Sequence, residues 1–145
     1  MNGNTPEPIG YWLKHIDVTL ESNFETLLAT QELKRRHWQI MHTLAGGPID
    51  AAGLKTALAP FLDAEDPTPA PYVAALIERG WVTVDEATAH TLTPEGIAAH
   101  ADLFARIQVQ RKAVTEGLST DDYNNLLATL QRIADNVDAF ALTLK

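Results

Sequence analysis

Residues 48–96 read PIDAAGLKTALAPFLDAEDPTPAPYVAALIERGWVTVDEATAHTLTPEG, and the turn-forming residues in this segment divide it into distinct secondary-structure elements. Asp50 can cap a short helix over residues 51–58, because its carboxylate accepts the unpaired amide hydrogens of a first helical turn. Pro60 limits how far that helix extends. An acidic, proline-rich link follows at residues 63–71. The segment therefore begins with a helix and a connecting turn.

The second part of this segment predicts another helix and a β-hairpin. The predicted inward-facing residues between Thr68 and Arg79 are Val73, Leu76 and Ile77, and Gly80 follows as a helix-ending glycine. Residues 81–85 alternate apolar and polar, a turn follows, and residues 89–92 can return antiparallel. Helix, turn, helix and hairpin in this order predict a winged helix.

Long helices are predicted at both ends of the chain. Thr93 can cap a helix that begins with Pro94, where the missing amide hydrogen costs nothing. Apolar residues spaced by three and four also predict a helix over residues 9–30, and Ser119 or Thr120 can cap a last one. Helices of this length carry more apolar surface than a small winged helix needs, which indicates a partner chain.

Three motifs stand before, within and after the predicted winged helix: RRHWQIMHTLAGGP at residues 35–48, IERGWV at residues 77–82 and LTPEG at residues 92–96. In these motifs the chain resembles the MarR family of transcriptional regulators. The resemblance covers nearly the full chain and implies a single protomer over residues 1–145. Residues 9–30 and 94–142 would be dimerisation helices, with a winged helix-turn-helix region at residues 34–93 between them. The expected fold class is mainly α with a small β-hairpin wing.

Composition excludes several classes of protein. With 145 residues, 46% of them apolar, the chain is long enough for a real core. No apolar run approaches the ~18 residues of a membrane span, and the amino terminus lacks a signal-peptide layout, so we expect a cytoplasmic protein without a membrane partner. The absence of cysteine excludes disulfides and thiolate metal sites. Because no nucleotide-binding loop, nucleophile elbow or metal motif occurs, we expect neither an enzyme nor a bound cofactor or metal.

The charge balance is unfavourable for nucleic acid. The net charge is −8, and residues 48–96 contain two basic residues, Lys55 and Arg79, against eight acidic ones. Phosphate contacts require cations, so the winged helix has the shape for DNA and little of the charge. The basic trio Lys34, Arg35 and Arg36 is another candidate for phosphate contacts, although such a trio is more often a solvated face.

Candidate DNA contacts follow from the family pattern. The first exposed residues of a recognition helix meet base edges in the major groove, while the wing reaches the backbone or minor groove. The resemblance assigns DNA contacts to Lys55, Thr68, Ala70, Tyr72, Arg79 and Thr88. The wing departs from the family, because its tip at residues 86–88 is short and has no arginine.

Candidate ligand contacts are mostly aromatic and belong to the first and second predicted helices. Relatives in the family bind small, often aromatic, effectors in a crevice between the dimerisation helices and the winged helix. By resemblance, the residues lining such a crevice would be Trp12, His15, His37, Trp38 and Met41. Aromatic surface with a few polar groups suits a pocket of this kind, and simple interhelical packing is the alternative.

Two hypotheses for function remain open. The first is a homodimeric transcriptional regulator that binds a palindromic site on double-stranded DNA and is released by a small aromatic effector. The second is a dimeric winged-helix protein that has lost DNA binding and acts as a ligand-binding or protein-interaction module. The missing wing arginine and the acidic balance favour the second.

Overall fold

The computed structural model describes residues 6–145. The chain divides into two compact units, the first ending at Ile107 and the second beginning at Gln108. The helices are α1 (Ile9–Ala29), α2 (Arg35–Leu44), α3 (Ala51–Leu58), α4 (Ala70–Glu78), α5 (Pro94–Val114) and α6 (Thr120–Thr143), and the strands are β1 (Ile49–Asp50), β2 (Val82–Val84) and β3 (Ala89–Leu92). No helix in residues 6–145 is long and apolar enough to cross a membrane.

The core of the first unit is built around α2. Ile40 and Met41 of this helix have no exposed surface, and α2 contacts α1, α3, α4 and β3. The other fully buried large side chains are Leu28, Leu54, Leu58, Leu76, Val82 and Leu103. Each of the helices α1 to α5 therefore contributes buried apolar side chains to a shared core, as expected from the spacing of apolar residues in the sequence.

The predicted winged helix is confirmed, including the residues that begin and end its helices. The Asp50 carboxylate accepts a hydrogen bond from the Gly53 amide at 2.7 Å and so caps α3. Thr93 accepts from the Gly96 amide at 3.1 Å, with Pro94 at the first position of α5. Gly80, with φ of +80°, ends α4 in a conformation that favours glycine.

The sheet contains one strand more than the sequence predicted. Its order is β1-β3-β2, both pairs are antiparallel, and His90 lies opposite Ile49 on one side and Val84 on the other. β1 has only two residues, too few for alternation to be visible in the sequence. Gly96 is required where α5 starts, because a Cβ there would overlap the Trp81 carbonyl oxygen.

The start of α4 differs from the prediction. The sequence indicated a helix from Thr68, and the helix begins at Ala70. Pro69 is the last residue before the helix, and its carbonyl accepts the first hydrogen bonds of the helix, from the amides of Tyr72 and Val73. Pro71 is tolerated because the first helical turn does not require its amide hydrogen.

The second unit contains the end of α5, a turn and α6. Gly117 has φ of +86° in the turn. Ser119 caps α6, because its hydroxyl accepts from the Asp122 amide at 3.0 Å and its own amide donates to the Asp122 carboxylate at 3.1 Å. This reciprocal pair confirms the predicted start of the last helix.

Candidate nucleic-acid interface

The outward face of α4 is small and apolar. Val73 and Leu76 anchor the helix in the core, which leaves the opposite side exposed. The exposed residues are Ala70, Pro71, Ala74, Ile77 and Glu78. The prediction that Ile77 faces inward is wrong: its side chain lines the open groove between α3 and α4 and is 41% exposed. Only Glu78, at the end of the helix, is charged. In a winged helix this face is the one that enters the major groove.

The amides at the start of α4 are already hydrogen-bonded. The Ala70 amide lies 3.3 Å from Thr68 Oγ1, and the amides of Tyr72 and Val73 lie 3.0 Å from the Pro69 carbonyl oxygen. The residue between them is a proline and has no amide hydrogen. Free amides at a helix start commonly bind phosphate, and α4 therefore offers none.

A groove of about 410 Å³ separates α3 from α4. One wall carries Ala51, Ala52 and Lys55 from α3, and the other carries Ala70, Ala74 and Ile77 from α4. Lys55 is exposed, and no acidic side chain in residues 6–145 lies within ion-pair distance of it. Among the predicted phosphate contacts, Lys55 is thus a cation without an internal partner.

The wing turn is held by its own hydrogen bonds. The Asp85 carboxylate accepts from the amides of Ala87 at 2.8 Å and Ala89 at 2.9 Å. Thr88 adopts the left-handed conformation, with φ of +66°, and its hydroxyl donates to the Ala87 carbonyl at 2.6 Å. The Thr88 hydroxyl is therefore engaged within the turn, and the tip of the wing presents Glu86.

Tyr72 points away from the groove between α3 and α4. Its hydroxyl donates to the Asp66 carboxylate at 2.8 Å, and its ring meets His37 edge to face at 5.0 Å. The hydrogen bond to Asp66 raises the pKa of Tyr72 above its ordinary value, with burial as a second cause. Of the predicted contacts on α4, Ala70 is exposed on the outward face and Tyr72 belongs to another site.

Arg79 is also engaged within the protein. Its Nη2 donates to the Glu32 carbonyl at 2.8 Å, and its guanidinium lies 4.9 Å from the centre of the Trp81 ring. Glu32 follows α1 with φ of 56°, so this arginine satisfies a carbonyl in the connection between α1 and α2. The guanidinium thus has structural contacts that DNA binding would have to replace.

A second cavity, of about 610 Å³, contains most of the basic side chains near the winged helix. We call it the Arg36 crevice, and its lining is Glu25, Ala29, Leu33, Lys34, Arg35, Arg36, Gln39, Phe61, Asp66 and Tyr72. Lys34 and the neighbouring Arg35 are at least partly exposed, and Arg35 forms an ion pair of 2.9 Å with Glu21. The crevice is therefore an open site lined by three basic and two acidic side chains.

Arg36 itself is largely buried, with only 11% of its side chain exposed. It donates to the Phe61 carbonyl at 2.7 Å and the Gln39 amide oxygen at 3.1 Å, and it lies 3.5 Å from the Asp66 carboxylate. Its Nε is buried without a hydrogen-bond partner among residues 6–145. Arg36 therefore ties α2 to the 3₁₀ turn at Ala59–Phe61 and to the link before α4.

The structure separates the predicted ligand-binding residues into three places. Trp12 and His15 form an exposed aromatic cluster on α1, with ring centres 6.5 Å apart. Trp38 and Met41 lie in the core. His37 packs against Tyr72, and burial, followed by the charge of Arg79, lowers its pKa. Because these residues lie in different places, they do not line one cavity.

An aromatic stack between α2 and α5 was not foreseen from the sequence. His100 stacks on Trp38 at 4.9 Å, and His42 Nδ1 lies 3.1 Å from His100 Nε2. Phe104 completes the stack. Burial lowers the pKa of His100, and the nearby His42 adds to this effect. A signal was present, because each helix carries a histidine four residues from an aromatic residue, but pairing them requires the tertiary fold.

Comparisons with known proteins agree with this architecture. Residues 33–96 match the family model of a winged helix DNA-binding domain. Comparison with curated protein sequences gives no match.

Several solved structures share the fold of nearly the whole chain. The reduced form of MarR from E. coli is similar with a TM-score of 0.65 and 17% identity, covering 90% of this chain and 96% of that one. A MarR family protein of Mycobacterium tuberculosis in complex with DNA is similar with a TM-score of 0.65 and 19% identity, covering 88% of this chain and 98% of that one. BpsR of Bordetella bronchiseptica, whose DNA binding is regulated by 6-hydroxynicotinic acid, is similar with a TM-score of 0.61 and 18% identity. The similarity covers 93% of this chain and 99% of that one. Residues 33–96 are therefore similar to a winged helix DNA-binding domain, and the chain shares the fold of MarR-family regulators.

Proposed function

We propose that the chain is a cytoplasmic, homodimeric transcriptional regulator of the MarR type that binds a palindromic site on double-stranded DNA. The observation that carries this proposal is the winged helix, in which α4 is anchored by Val73 and Leu76 and leaves its opposite face exposed. The family match of residues 33–96 and the likeness to a relative in complex with DNA support it.

Exposed apolar side chains support a homodimer. Along α1, Ile9, Leu13, Ile16 and Leu20 are each between 43% and 51% exposed. Their spacing of three and four places them on one face of the helix. A second copy of the chain would bury this surface. A two-fold dimer would place two copies of α4 in successive major grooves, about 34 Å apart.

The winged helix would contact few phosphates. Tyr72 and Arg79 are held by Asp66 and Glu32, the amides at the start of α4 are paired, and the wing turn is closed on itself. Lys55 remains as the predicted phosphate contact. Affinity would therefore depend more on the fit of α4 in the major groove than on charge, which is unusual for a DNA-binding protein.

The Arg36 crevice is the cavity best suited to a small anionic effector. Lys34 and Arg35 can attract a carboxylate, and Phe61, which is 51% exposed, offers apolar surface. Tyr72 connects the crevice to the first turn of α4. An effector that bound one position of α4 better than another would shift the population and so change DNA affinity.

The test is fluorescence anisotropy with labelled DNA from the region upstream of the gene, at low and moderate salt, with unrelated DNA as competitor. Specific binding is expected, and Lys55→Ala should weaken it on every sequence. Lys14→Ala on α1 is the control, because it removes the same charge away from the winged helix. Binding that is absent even at low salt would contradict the proposal.

A protein-interaction module is the second candidate. The apolar groove between α3 and α4 favours it, because such a surface can also accept a partner helix. Loss of all DNA binding, together with an intact dimer in sedimentation analysis, would support this alternative.

A further inference from the structure

The outward face of α4 has an unusual chemistry for a recognition helix. Side chains read guanine through arginine or lysine, adenine through asparagine or glutamine, and the thymine C5-methyl group through apolar contact. Residues 70–78, APYVAALIE, contain none of those four polar types. Their exposed side chains are instead small and apolar up to Ile77.

Arg79 and Tyr72, two donors at or beside α4, are engaged within the protein. Arg79 directly follows α4, but its guanidinium donates to the Glu32 carbonyl and lies over Trp81. Tyr72 donates its hydroxyl to Asp66. Glu78 is an acceptor and lies at the end of the helix that is farther from the first exposed positions. Hydrogen-bonded reading of guanine therefore has no donor on this helix.

The shape of the surface suits methyl groups. Ala70, Ala74 and Ile77 recur at spacings of four and three, so they form one line along α4, which we call the apolar stripe. This stripe forms one wall of the groove of about 410 Å³, and Ala51 and Ala52 of α3 lie on the other wall. Short side chains allow the helix backbone to approach base edges closely, and thymine methyl groups project into the major groove at that depth.

We propose that α4 reads thymine C5-methyl groups, so that each half-site is a run of A·T pairs contacted by the apolar stripe. This inference rests on the proposed function, because it names the base chemistry of the same DNA site. The occupant of the groove is the methyl-bearing edge of the duplex. Position in the winged helix favours this occupant over a partner helix, because α4 is the second helix of the helix-turn-helix, whose exposed side chains meet base edges, and Ala70, Ala74 and Ile77 are exposed.

The test begins with duplexes selected by the full-length protein from a random-sequence pool. In a selected duplex, half-site thymines are replaced by deoxyuridine, which lacks only the methyl group. Because burial of one methyl-sized group contributes roughly fourfold in affinity, replacing two or more per half-site is expected to weaken binding by about tenfold or more. The same replacement in the flanks is the control. Replacing guanine by 7-deazaguanine, which removes the N7 acceptor, should leave affinity unchanged.

A pair of variants checks that α4 is responsible. Ala74→Ser places a hydroxyl on the apolar stripe and is expected to lower the ratio of affinities for thymine and uracil duplexes. Ala98→Ser makes the same change at an exposed position of α5 and should leave this ratio unchanged.

The outcomes separate the two proposals. Failure to select or bind any duplex would overturn the proposed DNA-binding function, and the inference with it. Tight binding that is unchanged by deoxyuridine, or that is weakened by 7-deazaguanine, would overturn the reading of thymine methyl groups. The proposed DNA-binding function would not be affected by that result. A reduced ratio in Ala74→Ser, with Ala98→Ser unchanged, would support the inference.

Discussion

Two surfaces of the first unit differ sharply in charge: the outward face of α4 and the Arg36 crevice. The face of α4 carries no charged side chain from Ala70 to Ile77. The crevice is lined by three consecutive basic residues, Lys34, Arg35 and Arg36. The cations of the winged-helix region are thus concentrated away from the face that would meet DNA. A count of charges along the sequence does not reveal this separation.

The difference in charge between the two surfaces arises partly because Arg36 and Arg79 bind backbone carbonyls within the protein. Arg36 donates to the carbonyl of Phe61, the last residue of the 3₁₀ turn, and Arg79 donates to the carbonyl of Glu32, just after α1. Carbonyls at the ends of helices lack intrahelical partners, and a guanidinium is a strong donor for them. Both arginines therefore join elements of the fold, and their charge contributes little to a DNA surface.

The largest expected effect is on stability, from Arg36→Ala. The change removes hydrogen bonds to Phe61 and Gln39 from a largely buried side chain and leaves polar groups without partners. We expect a loss of about 2–3 kcal/mol in the free energy of unfolding. Urea denaturation followed by circular dichroism measures it.

The matched control for this prediction is Arg35→Ala. Arg35 is partly exposed, and its ion pair with Glu21 is a surface contact. Its replacement should cost less than about 1 kcal/mol. Equal losses in both variants would contradict the distinction between a structural and a surface arginine.

The second prediction concerns the salt dependence of DNA binding. If Lys55 is the main phosphate contact, a dimer neutralises two phosphates, and the slope of log K against log salt should be about −2. Lys55→Ala should remove most of that slope. Anisotropy titrations over a range of salt concentrations measure both slopes. A slope steeper than about −5 would mean that other cations, such as the Arg36 crevice residues, reach DNA.

The third prediction concerns the stability of the protein at acid pH, which depends on the stacked histidines His42 and His100. Burial lowers the pKa of His100, so the folded state favours the neutral imidazole. Stability from this group is complete above its ordinary pKa of 6.5 and is lost as pH falls from that value through the lowered pKa of the folded state. The melting temperature should therefore decrease between about pH 7 and pH 5.

The variant that tests this assignment is His100→Phe. Phenylalanine can stack on Trp38 and Phe104 without titrating, so the decrease of melting temperature with acid should become smaller. His42 is the titratable group that faces His100, and the acid and base nearest along α5, Asp102 and Arg106, pair with each other. An unchanged pH profile in His100→Phe would contradict the assignment.

The sequence predicted the features that depend on local rules. Asp50, Gly80, Thr93 and Ser119 begin or end helices through contacts within a few residues, and all four lie as expected. Apolar periodicity likewise located the helices and the hairpin strands.

The site was less predictable because its side chains are directed by distant partners. Arg79 binds a carbonyl 47 residues away, and Arg36 binds one 25 residues away. The resemblance to the MarR family assigned Tyr72 to the outward face, yet its hydroxyl donates to Asp66 in the preceding link and its side chain lines the Arg36 crevice. Helical spacing assigns a face, whereas these contacts depend on loop geometry that no periodicity encodes.

The smallest expected effect is at the wing, from Thr88→Gly. A β-branched residue with φ of +66° is strained by roughly 1 kcal/mol, and glycine removes that strain. Glycine also gains entropy in the unfolded chain, so the net increase in stability should be about 0.5 kcal/mol. Thermal denaturation measures it, and Thr88→Ala, which loses the hydroxyl but keeps the Cβ, is the control.

Because the hydroxyl donates to Ala87, DNA affinity should stay within about twofold in both variants. A larger loss in both would place the wing tip on DNA and reduce the contrast between α4 and the rest of the surface.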